Sequence, residues 1–167
     1  MLQAEILRDA EALLAELQGH GATLATAESC TGGLIAAALT AVPGSSATLL
    51  AGYVTYSNEA KSRMVGVPAV LIDTVGAVSE PVARRMAEGA LADSGARLAV
   101  SCTGIAGPGG GSAAKPVGLV HLACARQGRA TLAEHHIFPG DRTAIRAATV
   151  AAAFALLRRA LQPEPTA

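Results

Sequence analysis

Apolar and polar positions alternate along the chain with two different periods. Leu2, Ile6, Leu13, Leu14 and Leu17 recur mostly three or four residues apart with acids between them. That spacing predicts an amphipathic helix over residues 2 to about 18, stopped by Gly19 and Gly21. Thr23 to Glu28 is short and strand-like and runs straight into Ser29-Cys30-Thr31-Gly32-Gly33. A small apolar helix from Leu34 to about Thr40 breaks at Val42-Pro43-Gly44. Thr48 to Ser57 predicts a second strand carrying both tyrosines, Tyr53 and Tyr56, and Ser57 is placed to cap a helix through Met64. No element is assigned to residues 65–78. Ser79-Glu80-Pro81 marks a further helix start, since Pro is tolerated in a first turn, and Gly95 follows its end near Ser94. Ala96 to Ser101 is an apolar strand running into the glycine-rich stretch Thr103 to Gly111. Val117 to Ala125 and Thr131 to Phe138 form a predicted hairpin around residues 126–129. Asp141 caps a last helix to about Leu161, and residues 163–167 are expected to fray.

Strands alternate with helices up to the closing hairpin. The expected fold class is therefore α/β: a three-layer helix-sheet-helix domain with a mixed sheet ending in a β-hairpin. A length of 167 residues suits one domain, assigned to residues 1–162. In such sheets ligands gather where strands end and helices begin, and two of the three glycine-rich loops fall at such ends.

Composition narrows the function. Hydrophobic residues make up 51% of the chain, but 38 of them are alanine, and there are two Phe, two Tyr and no Trp. So few aromatics argue against a base-stacking surface for single-stranded nucleic acid. Thirteen basic and thirteen acidic residues cancel without a basic run, which removes a phosphate-backbone or polybasic membrane patch. The apolar run from Ala147 to Leu157 is far short of the roughly 20 residues a bilayer needs, and no signal-peptide pattern opens the chain. Cys30, Cys102 and Cys124 are odd in number and widely spaced, as expected of reduced thiols in a cytoplasmic protein. With no close cluster of His, Asp and Glu, no metal is expected; His135 and His136, adjacent in a strand, point to opposite faces. Alanine-rich helices with few charges suggest a homo-oligomer.

The first chemical candidate is the segment Ala27 to Gly33. A hydroxyl at a strand end, before glycines that open a helix, has backbone N–H groups and a positive dipole end beside it. Such donors hold a phosphate or the oxyanion of a tetrahedral intermediate. On the plainer alternative, Ser29 or Thr31 merely caps the helix. Lysine usage adds weight to the first. Eleven of thirteen basic residues are arginine, leaving only Lys61 and Lys115. Lysine, unlike arginine, can lose its proton when desolvated and serve as a base, so Lys61 with Ser29 reads as a Ser-Lys nucleophile pair; the alternative is two solvated lysines left by composition alone. Lys115 is expected to stay charged and exposed. Cys30 is a rival nucleophile, ranked below Ser29. The Thr103 to Gly111 stretch is either a backbone nest for an anion or a flexible connection. Arg142, at a helix start where a cation opposes the dipole, faces either an anionic group or a nearby acid.

Seven blocks, in order from residue 23 onward, resemble the CinA C-terminal-domain family. They are Thr26 to Gly33, Gly44-Ser45-Ser46, Tyr53 to Lys61, Gly76 to Glu80, Thr103 to Pro108, Lys115 to Gly118 and Phe138 to Arg142. The resemblance implies a stand-alone amidohydrolase that converts nicotinamide mononucleotide and water to nicotinate mononucleotide and ammonia, without a cofactor. It implies Ser29 as nucleophile assisted by Lys61 and Tyr56. It further implies Ser46, Thr103, Gly104 and Arg142 as substrate contacts, beside the Thr31, Gly32 and Gly33 backbone. A pyridine nucleotide is the expected small-molecule partner; a non-catalytic nucleotide-binding module is the alternative.

Overall fold

The computed structural model describes residues 3–163; the expected fraying of the tail lies almost wholly outside them. Six α-helices and five strands follow one another as α1 (Ala4–Gly19), β1 (Leu24–Glu28), α2 (Leu34–Thr40), a single 3-10 turn (Ser45–Ala47), β2 (Leu49–Val54), α3 (Asn58–Val65), α4 (Ala69–Val75), α5 (Glu80–Ser94), β3 (Leu98–Gly104), β4 (Leu119–Arg126), β5 (Leu132–Ile137) and α6 (Arg142–Leu161). The sheet is open and mixed, in the order β2-β1-β3-β4-β5. β1 runs parallel to β2 and β3, while β3, β4 and β5 are successively antiparallel. The three-layer α/β arrangement expected from the sequence is therefore present. Among the described residues no helix is long and apolar enough to cross a membrane.

The two faces of the sheet are packed differently. α1, α2 and α6 cover one face with large side chains, including Leu13, Leu17, Leu39, Phe154, Leu156 and Leu157, all essentially inaccessible. α5 covers the other through Ala83, Met86, Ala87 and Ala90, with α3 packed against both α5 and β2, and α4 against both helices. Small residues there permit close approach. A Cβ at Gly89 would lie 1.7 Å from the Val65 carbonyl oxygen, so the end of α3 rests directly on the α5 backbone. The many alanines thus serve close packing on this face.

Ser57 caps α3 by accepting from the Ala60 N–H at 3.0 Å, and Asp141 caps α6 by accepting from Ala144 at 2.9 Å. Ser79 precedes α5 but donates its hydroxyl to the Gly76 carbonyl instead of capping. α4 occupies a stretch to which the sequence assigned nothing. It has seven residues, three of them Val or Ile, follows Pro68 and buries only Ile72, so little periodicity betrays it. β3 extends past Ser101 to take in Thr103 and Gly104, because Gly104 lies where a Cβ would strike Val120 and the Leu119 carbonyl.

This topology gathers functional segments at one edge. The C-terminal ends of the parallel strands β1, β2 and β3 lie there, as do the start of β4 and the β5–α6 turn. In open α/β sheets that edge holds the ligand site.

Candidate active site

Ser29 follows β1 directly and is nearly buried. Its N–H donates to the Cys102 carbonyl at 3.0 Å, which ties it to β3. From β2, the Thr55 N–H donates to the Glu28 carbonyl at 2.8 Å, and α3 then turns back beneath the serine. Lys61, in the second turn of α3, is 1% exposed, and its Nζ lies 3.1 Å from Ser29 Oγ and 2.8 Å from the Thr55 carbonyl oxygen. Both partners are neutral. Burial without a carboxylate lowers the lysine pKa from its ordinary value, with the two cysteines opposing weakly. Nζ donates to the Thr55 carbonyl and to Ser29 Oγ, and neither bond requires the amine to carry a charge.

Ser29 does not cap α2, nor does Thr31. That work falls to Glu28, a buried side chain at the last position of β1. Its carboxyl accepts from Thr31 Oγ1 (2.6 Å) and from the N–H groups of Gly33 (3.1 Å), Ile35 (2.9 Å) and Ala36 (2.8 Å). The Gly32 N–H donates to the Ser29 carbonyl at 3.0 Å. The Gly32 and Gly33 donors, expected from the sequence to face substrate, are thus committed internally. Among the described residues, the Cys30 and Thr31 N–H groups are the loop donors that no other residue engages; the Cys30 N–H lies against its own thiol sulfur. Gly33 adopts φ +97°, a left-handed conformation that a side chain would strain.

The remaining expected site residues divide by location. Tyr56 is 59% exposed, and its hydroxyl accepts from Arg142 at 3.0 Å; its hydrogen bond is to Arg142, not to Ser29 or Lys61. Arg142 also donates to the Gly107 carbonyl at 3.1 Å, so neither partner is the acid considered from the sequence. Thr103 is buried and donates its hydroxyl to the Ala77 carbonyl at 2.9 Å, which leaves its side chain holding a loop. Gly104 pairs with Val120 in the sheet at the same edge. Ser46 is exposed in the 3-10 turn before β2, at the opposite edge. The six residues of β2 put it about 20 Å from Ser29 at the usual strand rise, so this chain does not bring Ser46 to the site. The adjacency of its motif in sequence conceals that a whole strand intervenes.

Lys115, expected to be exposed, is half-buried and donates to the Val75 carbonyl at 2.9 Å. Cys30 is buried; a hydrogen bond to Cys102 and burial push its thiol pKa up, while the same bond pulls Cys102 down. Such a thiol is a poor nucleophile. Three contributors went unassigned at the sequence level: Glu28, the Thr55 carbonyl and Arg146, whose NH2 donates to the Thr31 carbonyl at 2.7 Å. Glu28 alone had a legible sign, an acid ending an otherwise uncharged strand. Among the described residues no group of three or more His, Cys, Asp or Glu side chains is arranged to hold a metal ion.

Fold and site together define an α/β domain with a buried Ser-Lys pair at its strand ends. The chain belongs to the CinA C-terminal domain family, whose profile matches residues 8–161. It is 57% identical over 137 residues to the nicotinamide-nucleotide amidohydrolase PncC of Pseudomonas putida, covering 82% of this chain and 85% of that protein. It is 55% identical over 162 residues to a CinA-like protein of Citrifermentans bemidjiense; this alignment covers 97% of the chain but only 38% of that relative's length. The solved structure of competence/damage inducible protein CihA from Agrobacterium tumefaciens superposes with a TM-score of 0.94 at 47% identity, over 97% of this chain and 99% of that one.

Proposed function

We propose that the chain is an amidohydrolase that releases ammonia from nicotinamide mononucleotide through an acyl-enzyme on Ser29. The observation that carries this reading is the 3.1 Å approach of an uncompensated, buried Lys61 to Ser29 Oγ. Its substrate is supported by the likeness to the Pseudomonas putida PncC. Neutral Lys61 takes the hydroxyl proton as Ser29 attacks the carboxamide carbon, and the Cys30 and Thr31 N–H groups receive the oxyanion. An N–H immediately after the nucleophile is a recurrent oxyanion donor on α/β folds. The lysine ammonium then gives its proton to the departing ammonia, and water cleaves the ester with Lys61 again as base. At the mouth, Arg142, steadied by the Gly107 carbonyl, faces the phosphate, with Tyr56 beside it. The pyridinium charge makes the carbonyl electrophilic.

Ammonia release by the purified protein, measured beside a binding titration with nicotinamide mononucleotide, tests this reading. Ser29→Ala is expected to abolish turnover while retaining nucleotide affinity. Binding without turnover in the unaltered protein would instead identify a nucleotide-binding module.

A further inference from the structure

Arg146 lies one turn beyond Arg142 on α6, and the two side chains reach different walls of the site. Arg142 holds Gly107 and Tyr56, whereas Arg146 NH2 donates to the Thr31 carbonyl at 2.7 Å. The guanidinium is half-buried, and its Nε is enclosed with no partner among the described residues. Arginine is thus kept at a place where part of its hydrogen-bonding capacity goes unused, and the bond it does make is to the serine loop. It passes close to Gly32, where a Cβ would sit 3.7 Å from NH2.

Thr31 is consequently gripped from two sides, its hydroxyl by Glu28 and Cys102 Sγ, and its carbonyl by Arg146 at 2.7 Å, with only a longer bond from the Leu34 N–H at 3.4 Å beside it. Peptide planarity transmits that grip. With the Thr31 carbonyl fixed, the Gly32 N–H must point the other way, and it meets the Ser29 carbonyl. Cys30 and Thr31 are then held within a closed turn with their N–H groups left over. We propose that Arg146 is a positioning residue for the oxyanion hole, acting through the Thr31 carbonyl without touching substrate. This inference rests on Ser29 being the nucleophile.

A fluorophosphonate probe tests it without relying on the amide substrate. Ser29 Oγ bonds to phosphorus, fluoride leaves, the hydroxyl proton passes to Lys61, and the phosphoryl oxygen occupies the oxyanion position. Arg146→Met is expected to slow phosphonylation about tenfold to a hundredfold, somewhat less than outright loss of an oxyanion donor. Arg146→Lys, which keeps one N–H for the carbonyl, should recover part of the rate and guards against a Met variant that folds poorly. Where nicotinamide mononucleotide is turned over, kcat should fall with KM nearly unchanged, and by the same factor for nicotinamide riboside, which lacks the phosphate. Phosphonylation of both variants at the unaltered rate would overturn the proposal, as would a loss seen only with the phosphorylated substrate. Labelling of Ser29 without amide hydrolysis would remove the substrate reading and leave the role of Arg146 standing. Failure of the unaltered protein to react at Ser29 would overturn both.

Discussion

Two loops leave the C-terminal ends of neighbouring parallel strands, and they are built on opposite principles. The loop after β1, residues 29–33, is tied down at four of its five residues: Glu28 accepts from Thr31 and Gly33, Arg146 donates to the Thr31 carbonyl, Gly32 donates to the Ser29 carbonyl, and the Cys102 carbonyl accepts from the Ser29 N–H. The loop after β3 is glycine-rich and exposed from Pro108 to Ala114, and it meets the site chiefly through the Gly107 carbonyl on Arg142. A reacting group must be held within a fraction of an ångström, because small misplacements cost large factors in rate. A loop that receives one end of a substrate carries no such demand. On the proposed mechanism, the difference teaches where rigidity matters in this molecule: at Ser29 and Lys61, not at the loop after β3.

Disturbing the tight loop should do most damage. Glu28→Gln places an amide NH2 where only acceptors suit, so at least one N–H donor of α2 faces another donor. A buried mismatch of this kind costs about 1–3 kcal/mol, and thermal unfolding should fall by about 2–4 °C per kcal/mol. Ammonia release should drop about tenfold or more as the serine loop loosens. At the open loop the effect should appear in binding. Arg142→Ala is expected to raise KM for nicotinamide mononucleotide about tenfold to a hundredfold, the worth of charge-assisted hydrogen bonds. A fall in kcat alone would place Arg142 with the reacting atoms and blur the contrast between the loops. The smallest effect belongs to Gly109→Ala. A Cβ there meets nothing within 4 Å, and its φ is not in the left-handed region, so activity and melting temperature should stay at the unaltered values. A large loss would mean that this loop closes on substrate.

Much of this contrast was legible in the residues, and the missing parts have a common cause. The strand-loop-helix around Ser29 follows from local pattern, since glycines and an apolar run suffice to place α2 at Leu34. Lys61 stands out because lysine is scarce, but its burial depends on α3 resting against Gly89 on α5, a contact far away in sequence. Glu28 sits inside a recognisable motif, yet that it clamps a helix N-terminus is visible only once α2 is in place. The same limit explains Ser46 and Lys115. Ser46 belongs to a motif near Ser29 in sequence and lies a strand length away in space; Lys115 looks solvated until α4 brings the Val75 carbonyl to it. Of the Thr31, Gly32 and Gly33 N–H groups that the sequence offers to an anion, Gly32 and Gly33 are already engaged within the loop, which no local pattern reveals.

The central claim is that Lys61 works as an uncharged amine, and the dependence of kcat/KM on pH measures it directly. Burial lowers its pKa in the folded protein, so the protonated, inactive form is lost as pH rises through that lowered value. The account predicts a kcat/KM for nicotinamide mononucleotide that climbs with one ionisation and levels off below the ordinary lysine value of about 10.4. A rate still climbing through that value, or one indifferent to pH below it, would contradict the account.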